Sequence, residues 1–310
     1  MTNHATRWTC RFLLPGLLLA LVACGGGGRP LPAGAELSVC PAEPGGGALP
    51  ATPLADYGWG AAFASDALEH GPLLPRCTAG GGGVLRVATL NIAGLRDASL
   101  ADMALALRAL DADVIALQEV RVGGDYGHQA ADLARALGYA WVYAAAADLP
   151  YTGASLGNAL LARNGLLAVG RIDLRATGQL EPRVATQALA CLGGQPARLL
   201  SLHLDINEDS PPQQAQAQQL AQGVGCAVGE DLMVLGDFNA EVGSQTLAPI
   251  EGVGLPDVVA PYDTQSTYST GDTRIDLILA DAPLAARVRG ARVIETGLSD
   301  HRAVLVELQP

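Results

Sequence analysis

Asp237 and Asn239 follow the apolar run Leu232–Leu235 two residues apart, a spacing that turns both side chains to one side of an extended chain. A carboxylate and an amide so placed can reach one phosphate or one metal ion together. Asn91 ends another apolar run (ATLNI), Glu119 ends a second (DVIALQEV), and His203 stands near the end of a third (LLSLHLD). Asp276 interrupts TRIDLIL, and Asp300–His301 (LSDH) precede the last run. Each residue alone has an ordinary reading. Asp and Asn favour turns, a lone Glu can be a solvated strand end, and a lone His is more often a hydrogen-bonded structural residue. Carboxylates, amides and imidazoles gathered at the ends of several apolar runs describe instead a site at one sheet edge.

The elements that must position these groups alternate along the chain. Val84–Leu90, Val114–Leu117, Trp141–Ala145, Ala159–Ala162, Val184–Leu192 and Arg198–Leu204 read as strands, as do Leu232–Leu235, Ile275–Leu279, Arg292–Glu295 and Ala303–Leu308. Gly193-Gly194-Gln195-Pro196 reads as the turn of a hairpin. Leu100–Leu110, His128–Leu137 and Gln213–Leu220 carry helical patterns. Strands outnumber helices, and both parallel and antiparallel connections are implied. The expected fold is α/β (α+β): a four-layer sandwich of two mixed β-sheets flanked by helices, with the site at one edge.

In this order, the segments TLNI, DVIALQEV, GNALLAR, SLHLD, GDFNA, RIDLIL and SDH resemble the endonuclease/exonuclease/phosphatase superfamily. That metal-dependent group includes pancreatic-type deoxyribonucleases, abasic-site endonucleases, bacterial sphingomyelinases and inositol-polyphosphate 5-phosphatases. The resemblance runs from Val84 to about Leu308, and it implies a hydrolase of phosphoester bonds using Mg²⁺, with Mn²⁺ or Ca²⁺ as alternatives. Glu119 matches the principal metal ligand, and hard Mg²⁺ prefers carboxylate oxygen. Asn91 matches an amide near that metal and Asp300 a further carboxylate. Asp237 matches the residue that orients or deprotonates the attacking water. Asn239 matches a donor to the phosphate, and His203 a group that stabilises the charged transition state. His301 matches the imidazole at the scissile phosphate, with Asp276 holding its tautomer. Either Asp237 or His301 is the base. Asn158 matches a site-wall position, and Arg163 is expected to touch phosphate.

Composition narrows the substrate. The 310 residues hold 19 Arg, no Lys and 31 acidic side chains, for a net charge of −12. A broad basic surface for duplex nucleic acid is excluded, because such binding depends on neutralising phosphates. A polybasic membrane-surface binder is excluded too, and with 49 % hydrophobic residues so is a disordered chain. Trp141 and a few Tyr make no aromatic loop for a bilayer, and the short link from Asp257 to Asp276 leaves no room for a long gripping insertion. A compact, monomeric phosphodiesterase of nuclease type is expected. A lipid or small-molecule phosphoesterase is the alternative, ahead of a non-catalytic surface lipoprotein that binds a partner.

The N-terminal residues read as a targeting device. Arg7 and Arg11 precede the apolar run Phe12–Val22, too short for a spanning helix and suited to a signal peptide. Leu21-Val22-Ala23-Cys24 resembles a bacterial lipobox, which implies a signal peptide over 1–23 and lipidation of Cys24. Gly25, rather than Asp, follows the Cys, and by that resemblance an exported protein anchored to the bacterial cell envelope is expected, in the outer membrane where the host has one, with the lipid its only membrane contact. Residues 24–83 form a Gly/Pro-rich tether and extension, with Tyr57–Leu68 able to dock as a short helix, and the main domain is expected over 84–310. Cys40, Cys77, Cys191 and Cys226 are an even set in an exported protein. Sequence proximity pairs Cys40 with Cys77 and Cys191 with Cys226.

Overall fold

Period-two alternation decides which side of each strand meets which layer. A computed structural model of the chain describes residues 37, 39–40, 65–78, 82–149 and 152–310, all within the compact unit Leu31–Pro310. The strands are β1 (Leu68–His70), β2 (Leu85–Asn91), β3 (Val114–Gly123), β4 (Ala140–Leu149), β5 (Ala154–Ala162) and β6 (Leu166–Leu174). They continue with β7 (Arg183–Leu192), β8 (Gln195–His203), β9 (Leu232–Asp237), β10 (Asp276–Ala280), β11 (Val288–Ile294) and β12 (Ala303–Leu308). The helices are α1 (Leu100–Ala109), α2 (Gln129–Leu137), α3 (Pro211–Val224), α4 (Ala248–Gly252) and α5 (Ala282–Ala285).

Two mixed sheets result. The seven-stranded sheet has the order β1-β4-β5-β3-β2-β12-β11, and the five-stranded sheet the order β10-β9-β8-β7-β6. Only β2–β3 and β8–β9 run parallel among the described pairs. Val87, Val114, Ala116, Leu199, Met233, Leu235, Ile278, Val304 and Val306 face the space between the sheets. Their neighbours Ala88, Ile115, Leu117 and Leu305 pack outward with Met103 and Leu107 of α1 and Leu133 of α2. Leu200, Leu202, Val234 and Leu277 pack outward on the other side with Ala217 and Leu220 of α3 and Ile250 of α4. The central strands are therefore buried on both faces, which is why they read as unbroken apolar runs.

Caps end the helices where the sequence provides them. Ser99 accepts from the Asp102 N–H at the start of α1, and Ser210 does the same for Gln213 in α3, whose first residue is Pro211. His128 is not the first residue of α2 but its N-cap, accepting from the Ala131 N–H through Nδ1.

The differences from expectation lie mostly before residue 84 and at strand ends. Leu166–Leu174 is a strand that the sequence reading passed over, although LLAVGRIDL is apolar enough. The β7–β8 turn is Gly193–Gly194 alone, both at positive φ, so Gln195 and Pro196 already belong to β8. Of the expected Tyr57–Leu68 helix, residues 57–64 lie outside the described residues, and Leu68 opens β1 instead. That edge strand pairs with β4, and the Leu37 N–H donates to the Val169 carbonyl of β6 at 2.7 Å, so packing begins before residue 84. The signal segment 1–23, Cys24 and the start of the tether lie outside the described residues.

The cysteine pairing is corrected. Cys40 bonds Cys226 and Cys77 bonds Cys191, with Cα separations of 5.6 and 5.4 Å. Neighbours in sequence are not neighbours in space here. The Cys40 N–H donates to the Gly223 carbonyl at the end of α3. The segment after β1 instead runs to the start of β6, where Leu74 and Cys191 bond the Leu166 and Gly165 carbonyls. Each bridge thus sews the extension to a distant part of the domain.

Candidate active site

Strand register alone lines up the first three groups. In the five-stranded sheet His203 is opposite Asp237, and Asp237 is opposite Asp276, so three titratable residues share one row at the sheet's end. Gly236 makes this row tight. Its φ is +146°, and a Cβ there would sit 2.0 Å from the Leu202 carbonyl oxygen, so only glycine lets β8 and β9 approach just before Asp237. The facing sheet contributes Asn91 from the end of β2 and His301 from just before β12.

Glu119 reaches the site through a bulge. Opposite the pairs Leu117–Ala159 and Val120–Gly157, β3 has two residues where β5 has one, so Gln118 and Glu119 share Asn158 as partner. Glu119 is held at φ +54°, a left-handed conformation unusual for a side-chain-bearing residue, and Asn239 is at φ +47°. A buried chain of hydrogen bonds pins the bulge: Thr89 Oγ1 donates to Gln118 Oε1, and Gln118 Nε2 donates to Ser201 Oγ across the sandwich.

The contacts converge on Asp237, which is fully buried. Asn91 Nδ2 donates to Asp237 Oδ2 and to Glu119 Oε1, both at 3.1 Å. The Asn239 N–H donates to Asp237 Oδ1 at 3.0 Å. His203 Nε2 and His301 Nε2 lie 3.4 and 3.6 Å from Asp237 Oδ2. His301 Nδ1 is 2.8 Å from Asp276 Oδ2, and Asp276 is itself fixed by its N–H donating to Thr267 Oγ1 at 2.9 Å. The Tyr268 ring stands 5.0 Å from the His301 ring and walls one side.

Burial first, and neighbouring charges after it, set the protonation. Burial, and after it the Asp276 charge, pushes the Asp237 carboxyl up to about 7, against the opposing effects of His301, Asn91 and Asn239. Burial works to lower the His301 imidazole, but the hydrogen bond to Asp276 and the charges of Asp276, Asp237 and Asp300 raise it to about 9. Burial, then the charges of Arg183 and His301, holds His203 well below the usual imidazole range. Near neutrality the site therefore contains a basic carboxylate, a protonated imidazole and a neutral one.

Two expected residues stand differently from the rest. Asp300 is at the rim, its Oδ2 accepting from Arg96 at 3.2 Å. Arg163 is not in the site. It follows β5 at the opposite end of the sandwich, where its N–H donates to the Asp113 carbonyl and its guanidinium pairs with Asp111 at 2.6 Å. Six residue steps along β3 separate Asp113 from Glu119, about 20 Å of extended chain. Because β5 runs antiparallel to β3, the start of GNALLAR is near the site and its end is far away. Asn158, at the near end, faces the cleft and donates from Nδ2 to the Val184 carbonyl at 2.7 Å.

The sequence reading missed Arg183. It is 5 % exposed, shares a cleft with Glu119, Asn158 and His203, and its Nε is buried with no hydrogen-bond partner. A buried donor left unpaired costs free energy, and the other end of the same guanidinium lies 3.4 Å from Glu181. The signal was available: the first residue of β7 must land beside the last of β8 in an antiparallel hairpin, hence beside His203.

Among the described residues, Asp237, Asp276 and His301 are a set whose ligand atoms lie within 4.8 Å of one another. The Endonuclease/Exonuclease/phosphatase family model matches residues 88–301. No curated protein sequence matches the chain. Among solved structures, an endonuclease/exonuclease/phosphatase family protein from Bacteroides thetaiotaomicron superposes with a TM-score of 0.58 at 21 % identity, over 73 % of this chain and 97 % of that one. The mannosyl-6-phosphatase of the same species gives 0.57 at 21 % identity, over 72 % and 99 % of the two chains. A 3′ phosphatase from Neisseria, bound to product DNA hairpin, gives 0.56 at 19 % identity, over 72 % and 99 %. At these identities the likeness is one of fold.

Proposed function

Because the chain belongs to the endonuclease/exonuclease/phosphatase family, we propose that it is a divalent-metal-dependent phosphoester hydrolase in which Asp237 and His301 handle the protons. The observation that carries this reading is the single buried carboxylate, Asp237, met by two amides and two imidazoles from both sheets. Asp237, made basic by its surroundings, orients the attacking water and takes its proton. His301, kept protonated with Asp276 behind it, donates through Nε2 to a phosphate or leaving oxygen. His203 and the free N–H of Asn239, whose other N–H is spent on the Leu204 carbonyl, are neutral donors to the charge that builds up on phosphorus oxygens. Arg183 supplies the buried cation. One P–O bond forms to the water oxygen as the ester P–O bond breaks, and the alcohol leaves protonated.

The donor chemistry fits a hard cation. Asp276 and His301 are bound to each other, whereas Glu119 is a partly exposed carboxylate at the cleft floor, oriented by Asn91. Glu119, with Asn91 and Asp300, would hold Mg²⁺, or Mn²⁺ or Ca²⁺ in its place. When bound, the ion neutralises phosphate and leaving-group charge. The reading extends to location: the apolar run Phe12–Val22, the LVAC sequence and two disulfides support an exported lipoprotein anchored through Cys24. Among the described residues no helix is long and apolar enough to cross a membrane.

The test is hydrolysis of bis-p-nitrophenyl phosphate and p-nitrophenyl phosphate by the purified chain, with Mg²⁺, Mn²⁺ or Ca²⁺ and with EDTA. Metal-dependent release of p-nitrophenol is expected from at least one ester. Release unaffected by EDTA, or none with any metal, rejects the reading.

A further inference from the structure

Four arginines around the mouth are already paired with acids. Arg96 pairs with Asp97 and Asp300 at 3.1 and 3.2 Å, and Arg175 pairs with Asp66 at 2.7 Å. Arg274 pairs with Asp257 at 2.8 Å and Arg302 with Glu295 at 2.8 Å. Arg121 lies over the Tyr126 ring, 4.8 Å from its centre, with its Nε buried and unpartnered. Arg183, in the cleft, lies 3.4 Å from Glu181 through Nη2 and keeps only its Nε without a partner, and the chain has no lysine. Asp125, Glu181, Glu208, Glu241 and Asp272 are exposed on the loops at this end. A polynucleotide brings a row of phosphates that must each be neutralised. This face offers no row of cations: among the described residues Arg121 and Arg183 alone keep a buried, unpartnered Nε, Arg183 has Glu181 beside it, and carboxylates stand around them.

The same rim carries an ordered apolar pair. Leu180 and Ile206 are 37 % and 57 % exposed, and they come from loops three residues before Arg183 and three after His203. The Asp205 carboxylate, fully buried, brings them together. Its Oδ2 accepts from the Leu180 N–H at 2.9 Å and its Oδ1 from the Ile206 N–H at 2.8 Å. Two buried glutamines of α3 hold this bracket from beneath. Gln216 accepts from the Asp205 N–H, and Gln213 donates to the carbonyls of Asp205, Phe238 and Asn239. A loop backbone fixed by so many bonds holds the two apolar residues side by side at the rim.

We propose that the mouth selects small soluble esters carrying a single phosphate on an uncharged, apolar alcohol, the alcohol resting on Leu180 and Ile206, and that it discriminates against polynucleotides. The proposal rests on the hydrolase reading above. Leu180 and Ile206, and Val242 on the neighbouring loop, with no exposed Trp or Phe among the described residues, make too small a patch for a bilayer.

The experiment compares kcat/KM of the full chain, in its best metal, on bis-p-nitrophenyl phosphate, an eight-nucleotide oligothymidylate and supercoiled plasmid, at low and high salt. The oligonucleotide is expected to be cleaved at least about a hundredfold more slowly than the aryl ester, whose rate changes little with salt. Ile206→Ser should raise KM for the aryl ester about tenfold, the scale of lost apolar contact in a pocket. Plasmid or oligonucleotide cleavage as fast as the aryl ester, falling steeply with salt, overturns the proposal. An unchanged KM in both Ile206→Ser and Leu180→Ser, with folding confirmed by circular dichroism, overturns it as well. Absence of turnover on bis-p-nitrophenyl phosphate overturns this proposal, and absence on p-nitrophenyl phosphate as well rejects the parent reading.

Discussion

The two ends of the sandwich hold the same kinds of charged residue and put them to opposite uses. At the end where β3 begins, Asp111 is 62 % exposed in its side chain and pairs with Arg163 and Arg86 at 2.6 and 2.7 Å, while Arg86 also meets Glu307 at 3.0 Å. The hydrogen bond from Arg163 holds the Asp111 carboxyl below its ordinary value. At the end where β3 leaves its bulge, Asp237 is buried beside another carboxylate and its pKa moves the other way. Acidity here is set by surroundings and not by residue type. Water and arginine hold one end's carboxylate acidic, and dry crowding leaves the other's titrating near neutrality.

Removing Asp237 tests that contrast most severely. Asp237→Asn should lower kcat by about a thousandfold, within the usual range for a lost general base. It should also raise Tm. With a folded pKa of about 7 against an ordinary 3.8, the native state binds the proton more tightly than the unfolded chain. Stability from this group is therefore greatest at acid pH and is lost as pH rises through about 7. The asparagine removes the cost of the buried charge, so calorimetry should show the Tm gain at pH 8 and a smaller one at pH 5. A fall in Tm at both pH values would mean that Asp237 serves packing like any core residue.

Much of this site was legible beforehand, and the reason is local. Asn91, Glu119, His203, Asp237, Asp276 and His301 each adjoin an apolar run, and a run buried on both faces announces itself by composition. What stayed hidden depends on direction and register. Arg163 and Arg183 both flank apolar strands; only the antiparallel sense of β5 and β7 sends one away from the site and brings the other in. The bulge at Glu119 and the cysteine pairing are likewise set by tertiary packing, and strand periodicity carries no trace of either. The fold class needed only alternation and element count, so it survived the missed strand Leu166–Leu174.

The pH profile sharpens the contrast at intermediate scale. If Asp237 must be ionised and His301 protonated, kcat/KM on the aryl ester rises as pH passes about 7 and falls above about 9. A saturating divalent cation should shift the acid limb downward, since added positive charge favours the carboxylate. Asp276→Asn removes the partner that keeps His301 charged, and the alkaline limb should slide toward the ordinary imidazole value of 6.5, a loss of roughly tenfold at pH 8. An alkaline limb that stays put in Asp276→Asn would detach His301 from that role.

The smallest effect is expected at the other end. Arg163→Ala removes the ion pair to Asp111 and the hydrogen bond to the Tyr139 hydroxyl at 3.0 Å. Both partners are reached by a side chain that is 37 % exposed, so water replaces much of what is lost. Exposed pairs of this kind contribute about 1 kcal/mol or less, equivalent to a Tm lower by about 2–4 °C in a domain of this size. Activity should not follow: kcat/KM on the aryl ester should stay within about twofold of the unmodified protein, because some 20 Å of strand separates Arg163 from Glu119. High salt should erase much of the stability difference, as screening weakens the pair in the parent and leaves the alanine variant alone. The decisive measurement is KM. A severalfold rise with an unchanged Tm would put the Arg163 guanidinium on the substrate after all, and the contrast between the two ends of the sandwich would fail.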